Sequence, residues 1–432
     1  MAKDKIFYGW ILVPVLGIIY LIDAGFPFIG ASVMNTYMAE SLHLGRGTLG
    51  LGFTVCGLLS GLISPIIGYS IGKKGIRLTL IFGCLLLIVG SFLMATVVSK
   101  GWHYIAVFGV IVGVGCGFGG LIPVQAGVTF WFRKKKALAM SIAVTIGSLG
   151  GLIAPPLLNK IISSVNGDWR VAWFFITGLL VLSFILMFFF VKNKPSDMGL
   201  LQDGVDEHEE PAPADGVKKA GAGKVFCSTE EWKAMDAIKT LTFWMLFISS
   251  LAFVGPMMIF IAHAVIYLRD MGHPAGISAM AMSYYMLFSL GGRMLGGVLA
   301  DRFEPRYIWA VGLVLEAIGI LCFLDARSVY NIYLFSIFVG VGVGAASICW
   351  PTLLGNYFGS NSFAAIMGIL FPIVQLFGAS APYLAGLVYD AQGSYYTVFA
   401  GSAALAFISS IIIYFTKPPK SLTGGSQQAA VS

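Results

Sequence analysis

The chain has 432 residues, of which 58% are hydrophobic and only 11% are charged, and its mean hydropathy is +0.87. A soluble protein of this size carries about 25% charged residues, so this much apolar surface cannot be buried in water. Composition therefore excludes a soluble globular protein and predicts a polytopic membrane protein. The formal net charge is +7, a modest basic excess whose position along the chain matters more than its sum.

A helix needs about 20 apolar residues to cross the hydrocarbon core of a bilayer. The sequence contains twelve such stretches, and we predict one membrane-spanning helix, called a span below, for each. The stretches are too long and too uniformly apolar for transmembrane strands, which need about ten alternating residues. The spans begin near Tyr8, Thr48, Leu78, Trp102, Ala137, Val171, Leu241, Ser278, Tyr307, Asn331, Ala364 and Tyr395.

Basic residues concentrate in every second connection and at the two ends of the chain. By the positive-inside rule, this pattern places both termini and the long central connection in the cytoplasm. The basic N-terminal segment leads into a full-length span without a cleavage site, which favours the cytoplasmic (inner) membrane of a bacterium. The basic set comprises Lys73, Lys74, Arg77, Arg133–Lys136, Lys192, Lys194, Lys218, Lys219, Lys224, Arg302, Arg306, Lys417 and Lys420.

Residues 194–236 form the long polar connection, and their low apolar content predicts a flexible linker. The run Ser228–Glu231 has the pattern of a capping box that begins a short helix before the seventh span. The predicted domains are a six-helix bundle over residues 1–193, the cytoplasmic linker 194–236, a second six-helix bundle over residues 237–417, and a cytoplasmic tail over residues 418–432.

The two halves echo each other at an offset of 226–229 residues, which indicates an internal duplication. Each match is weak alone, but the matches occur in the same order and at nearly constant spacing. Parallel six-helix repeats are one architecture of secondary transporters, with the substrate site between the halves. The matches are Gly68–Arg77 with Gly297–Arg306, Gly113, Gly115 and Gly117 with Gly340, Gly342 and Gly344, Pro123 with Pro351, and Pro155 with Pro382.

Several motifs carry a resemblance to a known family. Gly68–Arg77 and its copy Gly297–Arg306 resemble the loop signature of the major facilitator superfamily, with Gly72 where an Asp is usual. Other motifs are similar to those of the monocarboxylate porter group and its bacterial oxalate/formate-antiporter relatives. These motifs are Tyr8-Gly9-Trp10, Phe26-Pro27, Trp131–Ala139, His263–Gly272 and Gly292-Arg293.

The resemblance implies an all-α membrane protein with twelve transmembrane helices in two pseudo-symmetric six-helix bundles. It also implies transport of small carboxylates by alternating access, as a symporter or as an exchanger of the oxalate/formate type. The residues that the resemblance assigns to the gating loops are Gly68, Arg77, Gly297, Asp301 and Arg302.

Arg293 is the clearest candidate for substrate binding. It lies within the eighth span. An arginine at the centre of a membrane helix raises the free energy of insertion by about 2.5–3.5 kcal/mol, so its presence there calls for an explanation. A guanidinium can donate two parallel hydrogen bonds to a carboxylate. Tyr285 and Ser289 lie on the same helical face as Arg293. The alternatives are a structural ion pair or snorkelling to the interface; the resemblance places the family's substrate arginine here.

Two further groups suit proton transfer. Asp23 lies midway along the first span and predicts either a proton-coupling site or a structural partner. His263 lies in the outer half of the seventh span and predicts either proton transfer with substrate binding or a satisfied polar group. The lysine and aspartate expected in mammalian members are replaced by Phe28 and Ser289, so the resemblance alone does not establish proton symport.

The remaining candidates are an acidic residue and three aromatic ones. Glu316 in the ninth span is expected to be peripheral or paired along its own helix. Phe28, Phe118 and Trp350 form either an apolar wall around a short acyl chain or ordinary packing.

The number of cations in the site favours one substrate class. At the position where oxalate-type relatives carry a second cation, this chain has Val374. A single arginine balances one carboxylate, so we expect a monocarboxylate such as lactate, pyruvate or acetate. A sensor that retains the transporter fold is the alternative from another class. The sequence lacks HExxH and Walker A motifs, and we expect no enzyme activity, cofactor, metal or nucleic acid, and a monomer in the bilayer.

Overall fold

The computed structural model describes residues 7–44, 46–204, 225–228, 230 and 232–419. These residues form helices and their connections, with no strand among them. The long helices in chain order are α1 (Gly9–Tyr20, continued by Leu21–Ile29 and Ala31–Ser41), α2 (Arg46–Leu62), α3 (Ser64–Thr96), α4 (Gly101–Trp131), α5 (Lys136–Ser164), α6 (Trp169–Phe190), α7 (Leu241–Asp270), α8 (Ala275–Ala300), α9 (Pro305–Leu324), α10 (Val329–Phe358), α11 (Phe363–Gln392) and α12 (Tyr396–Phe415).

Ten of the helices in the described ranges are long and apolar enough to cross a bilayer. The other two predicted spans correspond to α2 and α8. The second span is longer than α2, because α3 begins directly after Ile63 and bends at Gly75, where φ is 81°. Glycine adopts such a φ without steric cost. The predicted all-α membrane fold is therefore confirmed, with Gly75 as the boundary between the second and third spans.

The helices divide into two compact units, each of which is described by itself. The first unit contains Met1–Lys135, Ile142–Pro211 and Met367–Pro372. The second contains Lys136–Ser141, Ala212–Ile366 and Ile373–Ser432. The first turns of α5 therefore belong to the second unit, and a short piece of α11 belongs to the first.

The described ends of the central connection, which the sequence predicts to be a flexible linker, make hydrogen bonds within the units. In the first unit, the Asp203 carboxylate accepts hydrogen bonds from the backbone N–H groups of Arg133 and Lys134, at 3.1 and 2.8 Å. In the second unit, the backbone N–H groups of Ser228 and Trp232 donate to carbonyls near the end of α10, at 2.7 and 3.1 Å. Residues 205–224 lie outside the described residues.

The predicted capping box lies partly outside the described residues, since Thr229 and Glu231 are among those left out. The Ser228 hydroxyl accepts a hydrogen bond from the backbone N–H of Glu230 at 3.1 Å. The short helix before α7 spans Ala234–Ile238 and begins after Lys233, so it does not start at Ser228.

Alternating glycines bring helices into backbone contact in the same way in each unit. In the first unit, a Cβ at Gly115 would lie 3.1 Å from the backbone N of Leu87 on α3. In the second unit, a Cβ at Gly342 would lie 3.1 Å from the backbone N of Glu316 on α9. The flanking glycines contact a different helix in each unit. In the first unit, Gly113 and Gly117 contact α2, at Cys56 and Ser60. In the second unit, Gly340 and Gly344 contact α8, at Tyr285 and Ser289. This shared pattern supports the predicted duplication.

Gly344→Ala should therefore separate α8 from α10. The added Cβ would overlap the Ser289 carbonyl and lie 2.9 Å from the backbone N of Arg293. Overpacking of this kind costs about 1–3 kcal/mol, so the midpoint of thermal unfolding in detergent should fall by several degrees. The matched control is Gly291→Ala on α8, where the Cβ meets open space. Equal loss in both variants would contradict the close-contact explanation.

Candidate functional site

The face of α8 that packs on α10 carries the polar residues predicted for substrate binding. Tyr285 and Ser289 are buried, and the Tyr285 ring stacks on Phe335 with centroids 6.3 Å apart. Arg293 lies one turn beyond Ser289; the residue is partly exposed and its Nε atom is buried. The structure therefore places these three side chains on one helical face of the second unit.

Glu316 lies on α9, where the backbone of α9 meets Gly342 of α10. Its residue is fully buried, and both carboxylate oxygens are buried without a hydrogen-bond partner. The expectation that Glu316 is peripheral or paired along its helix is wrong. The sequence held a signal for its position, since Gly312 lies one turn earlier and contacts Gly342 of α10.

Asp23 lies inside the first unit, where the middle of α1 widens into a π-helical segment over Leu21–Ile29. The Ser183 hydroxyl of α6 donates a 2.7 Å hydrogen bond to Asp23 Oδ1. Oδ2 is buried without a hydrogen-bond partner, 2.8 Å from the position of a Cβ at Gly119 on α4. Asp23 therefore faces α4 and α6 of its own unit, and its role in proton coupling stays a prediction.

Both ring nitrogens of His263 are engaged by protein groups of the second unit. The Pro382 carbonyl lies 2.9 Å from Nε2, and the Tyr395 hydroxyl lies 3.0 Å from Nδ1. A carbonyl can only accept, so Nε2 donates to Pro382, and the Tyr395 hydroxyl is the hydrogen-bond partner of Nδ1. His263 thereby ties α7 to α11 and to the start of α12. The predicted contact with substrate stays a prediction, and it requires one of these bonds to open.

The three predicted wall residues each pack on another aromatic ring. Phe28 and Phe118 belong to the first unit and pack on Phe53 and Phe82, with centroids 5.7 and 5.0 Å apart. Trp350 belongs to the second unit and packs on Phe253 at 5.9 Å. These contacts show that packing accounts for part of each side chain's environment.

The sequence profile described as Major Facilitator Superfamily matches residues 16–294 and 245–430. The chain belongs to the major facilitator superfamily. It is a multi-pass membrane protein of a superfamily of secondary active transporters, which agrees with its helical fold.

The fold is shared with solved transporters of this superfamily. The E. coli fucose:proton symporter FucP matches with a TM-score of 0.71 and 14% identity, over 95% of this chain and 99% of that chain. The proton:xylose symporter XylE matches with a TM-score of 0.71 and 13% identity, over 95% of this chain and 96% of that chain. At these identities the likeness shows the fold alone.

The curated relatives are diverse in their descriptions. The chain is 26% identical over 318 residues to the agnestins efflux protein AgnL12 of Paecilomyces divaricatus, which is 72% of this chain and 65% of that protein. It is 22% identical over 405 residues to the uncharacterized MFS-type transporter YcxA of Bacillus subtilis, covering 90% and 92%. It is 23% identical over 365 residues to monocarboxylate transporter 12 of Xenopus laevis, covering 82% and 77%.

The two copies of the superfamily's loop signature make different contacts. In the second unit, Asp301 Oδ1 and Oδ2 accept hydrogen bonds from the backbone N–H groups of Ala137 and Leu138, at 2.8 and 2.9 Å. These donors belong to the first turn of α5, where backbone N–H groups have no partner within the helix. In the first copy, the position around Gly72 is open, with nothing within 4 Å of a built Cβ.

The other predicted loop residues hold local contacts or lie at the surface. Arg77 donates from Nη2 to the Phe188 carbonyl at 2.5 Å and from its backbone N–H to Asn193 at 2.9 Å. Gly68 is buried and Arg302 is exposed. Gly297 packs against the Ser141 side chain of the second unit.

Asp301→Asn should destabilise the transporter. An amide has one oxygen and no charge, so the variant loses one of the two hydrogen bonds and the attraction to the positive end of α5. Removing a helix N-cap costs about 0.5–2 kcal/mol, which thermal unfolding in detergent can detect. Asp270→Asn, which changes an exposed carboxylate at the end of α7, is the control. A midpoint for Asp301→Asn equal to that of the wild type would refute the capping role.

Proposed function

We propose that this transporter moves small monocarboxylates, such as lactate, pyruvate or acetate, together with protons. The observation that carries the proposal is the position of Arg293 on the buried polar face of α8, beside Tyr285 and Ser289. A guanidinium there can donate two hydrogen bonds to a carboxylate in a bidentate pair, and the hydroxyl groups of Tyr285 and Ser289 can donate further hydrogen bonds. Because the surroundings are poorly solvated, the charge pair is stronger than it would be in water.

The number of cationic side chains in the proposed site indicates the charge of the substrate. Val374, at the position where oxalate-type relatives carry a second cation, is buried and apolar. One arginine compensates one carboxylate, whereas the second charge of a dianion would be left uncompensated in a site of low polarity. This count supports a monocarboxylate over a dicarboxylate.

Some of the relatives support a carboxylate as the substrate. Proteins described as monocarboxylate transporter 12 in Xenopus laevis and Rattus norvegicus are among them, and they support a carboxylate as substrate. Other relatives are described as efflux proteins. The arginine on α8 favours an anionic cargo over a neutral one, since only an anion forms a charge-assisted bidentate pair with a guanidinium.

The proposal assigns roles to the other predicted residues. The carboxylate binds Arg293, Ser289 and Tyr285, with His263 as a further hydrogen-bonding group. Phe28, Phe118 and Trp350 contact the apolar part of the substrate. Asp23 and His263 are the proton-coupling candidates from the sequence.

Alternating access would use the loops that contain Gly68, Arg77, Gly297, Asp301 and Arg302. We place the transporter in the cytoplasmic membrane of a bacterium, with both termini in the cytoplasm, in agreement with the basic residues of the alternate connections.

Arg293→Lys should lose most of its transport activity and keep its fold. Lysine retains the charge but cannot form the bidentate pair, so binding should weaken by at least about tenfold. The measurement is counterflow of radiolabelled lactate in proteoliposomes, with thermal unfolding as the check on folding. Arg327→Lys, an exposed arginine between α9 and α10, is the matched control. Full activity of Arg293→Lys would remove the assignment of Arg293 as the carboxylate site.

Monocarboxylates should compete with labelled lactate more strongly than dicarboxylates of similar size. The uncompensated second charge should weaken a dicarboxylate by at least about tenfold, because burying an unpaired charge costs several kcal/mol. The measurement is inhibition of counterflow by acetate, pyruvate, oxalate and malonate at one pH. Faster transport of oxalate than of any monocarboxylate would contradict the count of cations and favour an exchanger of the oxalate type.

A further inference from the structure

The two copies of the loop signature differ in their acidic residues. At an offset of 229 positions, Asp301 and Glu304 of the second copy correspond to Gly72 and Gly75 of the first. Asp301 caps the first turn of α5, and Glu304 accepts hydrogen bonds from a backbone N–H and from a tyrosine hydroxyl, each at 2.8 Å. The first copy has neither acid, so its basic residues keep their full positive charge.

Basic residues collect where the bend of α3 meets the end of α6. The Arg77 Nη2 atom donates to the Phe188 carbonyl at 2.5 Å, and the Arg77 Cζ atom lies 5.0 Å from the centroid of the Phe188 ring. Asn193, just after α6, accepts a hydrogen bond from the backbone N–H of Arg77 at 2.9 Å. Lys73 and Lys74 directly precede the bend and are exposed, while Arg77 is half-buried. These contacts hold the basic end of α3 against the end of α6.

Neither helix supplies an acid to offset these charges. The sequences of α3 and α6 contain no Asp or Glu, whereas Lys192 and Lys194 flank Asn193 and add to the positive charge. The first acid after α6 along the chain is Asp197, which is exposed and accepts a hydrogen bond from the backbone N–H of Lys194 at 3.2 Å. The basic cluster, as it is called below, comprises Lys73, Lys74, Arg77, Lys192 and Lys194.

Next to the basic cluster, α3 and α6 each present a row of exposed apolar side chains at helical spacing. The two rows are close at both ends, since Arg77 contacts Phe188 at one end and the rings of Phe92 and Phe174 lie 6.1 Å apart at the other. The row on α3 is about 21 Å long, which exceeds the hydrocarbon thickness of one leaflet. The rows include Leu78, Phe82, Leu85 and Val89 on α3, and Val181 and Ile185 on α6.

We propose that an anionic phospholipid binds here, with its phosphate at the basic cluster and its acyl chains along the apolar rows of α3 and α6. Lysine and arginine donate charge-assisted hydrogen bonds to phosphate oxygens, and basic sites between membrane helices bind anionic headgroups. The apolar rows favour a lipid over a soluble phosphate or an acidic peptide, because neither of those has acyl chains to cover them. The proposal goes beyond the transport function and does not depend on which substrate is carried.

The test is the affinity of the purified protein in detergent for dioleoylphosphatidylglycerol and for dioleoylphosphatidylcholine, measured by native mass spectrometry. The two lipids share their acyl chains and differ in the charge of the headgroup. Wild-type protein should bind the anionic lipid at least about tenfold more tightly, since each basic residue near an anionic headgroup strengthens binding about fivefold. Lys73→Gln combined with Lys74→Gln should lose most of this preference and keep the affinity for phosphatidylcholine.

Gly72→Asp and Gly72→Asn form a second pair, which is matched in shape and differs in charge. A Cβ at Gly72 meets open space, so both variants should fold. The aspartate restores the acid that the superfamily signature usually carries and should weaken binding of phosphatidylglycerol by about fivefold. The asparagine should bind it as the wild type does. Because both variants keep every basic residue of the cluster, they test the site even if the lysine variant does not fold.

Lys233→Gln combined with Lys417→Gln is the control for the lysine variant, since it removes two exposed lysines of the second unit on the same predicted side of the membrane. It should keep the preference for phosphatidylglycerol. Equal affinity of wild-type protein for the two lipids would refute the proposal, and so would equal losses in the two lysine variants or in the two Gly72 variants. Displacement of phosphatidylglycerol by an equal concentration of glycerol phosphate would assign the cluster to a free anion and refute the lipid.

Discussion

The close approach of three helices in the second unit depends on the alternating glycines of α10. Gly340 and Gly344 admit the backbone of α8, and Gly342, on another side of α10, admits the backbone of α9. Any side chain at these positions would separate the helices by the width of a methyl group or more. In a bilayer, where helices gain no hydrophobic energy by association, such backbone contact supplies the dispersion energy that holds them together.

The equivalent glycine contacts of the two units, called the frame here, are surrounded by different side chains. In the first unit the frame surrounds Cys56, Ser64 and Leu87, and the buried carboxyl lies elsewhere, at Asp23, where Ser183 donates to one of its oxygens. In the second unit the frame surrounds Tyr285, Arg293 and Glu316, and the carboxylate oxygens of Glu316 have no hydrogen-bond partner. Burial of a polar group without a hydrogen-bond partner destabilises a protein.

The loop signatures diverge in a similar way. Asp301 holds the first turn of α5 through two backbone hydrogen bonds, while Gly72 leaves open space in the other copy. A duplicated fold can thus keep its helix packing while its polar contacts become specialised in one half. Helix packing depends on small residues at fixed intervals, whereas a polar contact depends on a single side chain.

Sequence alone determined the membrane class, the helices and the repeat, because these follow from hydropathy and from spacing. It also identified Arg293 as a candidate for substrate binding, from the cost of a charge within a span. It also placed Tyr285 and Ser289 on the face of Arg293, because helical periodicity is local. The sequence did not reveal that Glu316 is fully buried, or that both nitrogens of His263 are occupied by Pro382 and Tyr395. Those facts depend on how different helices rotate against one another, and only tertiary packing decides that rotation.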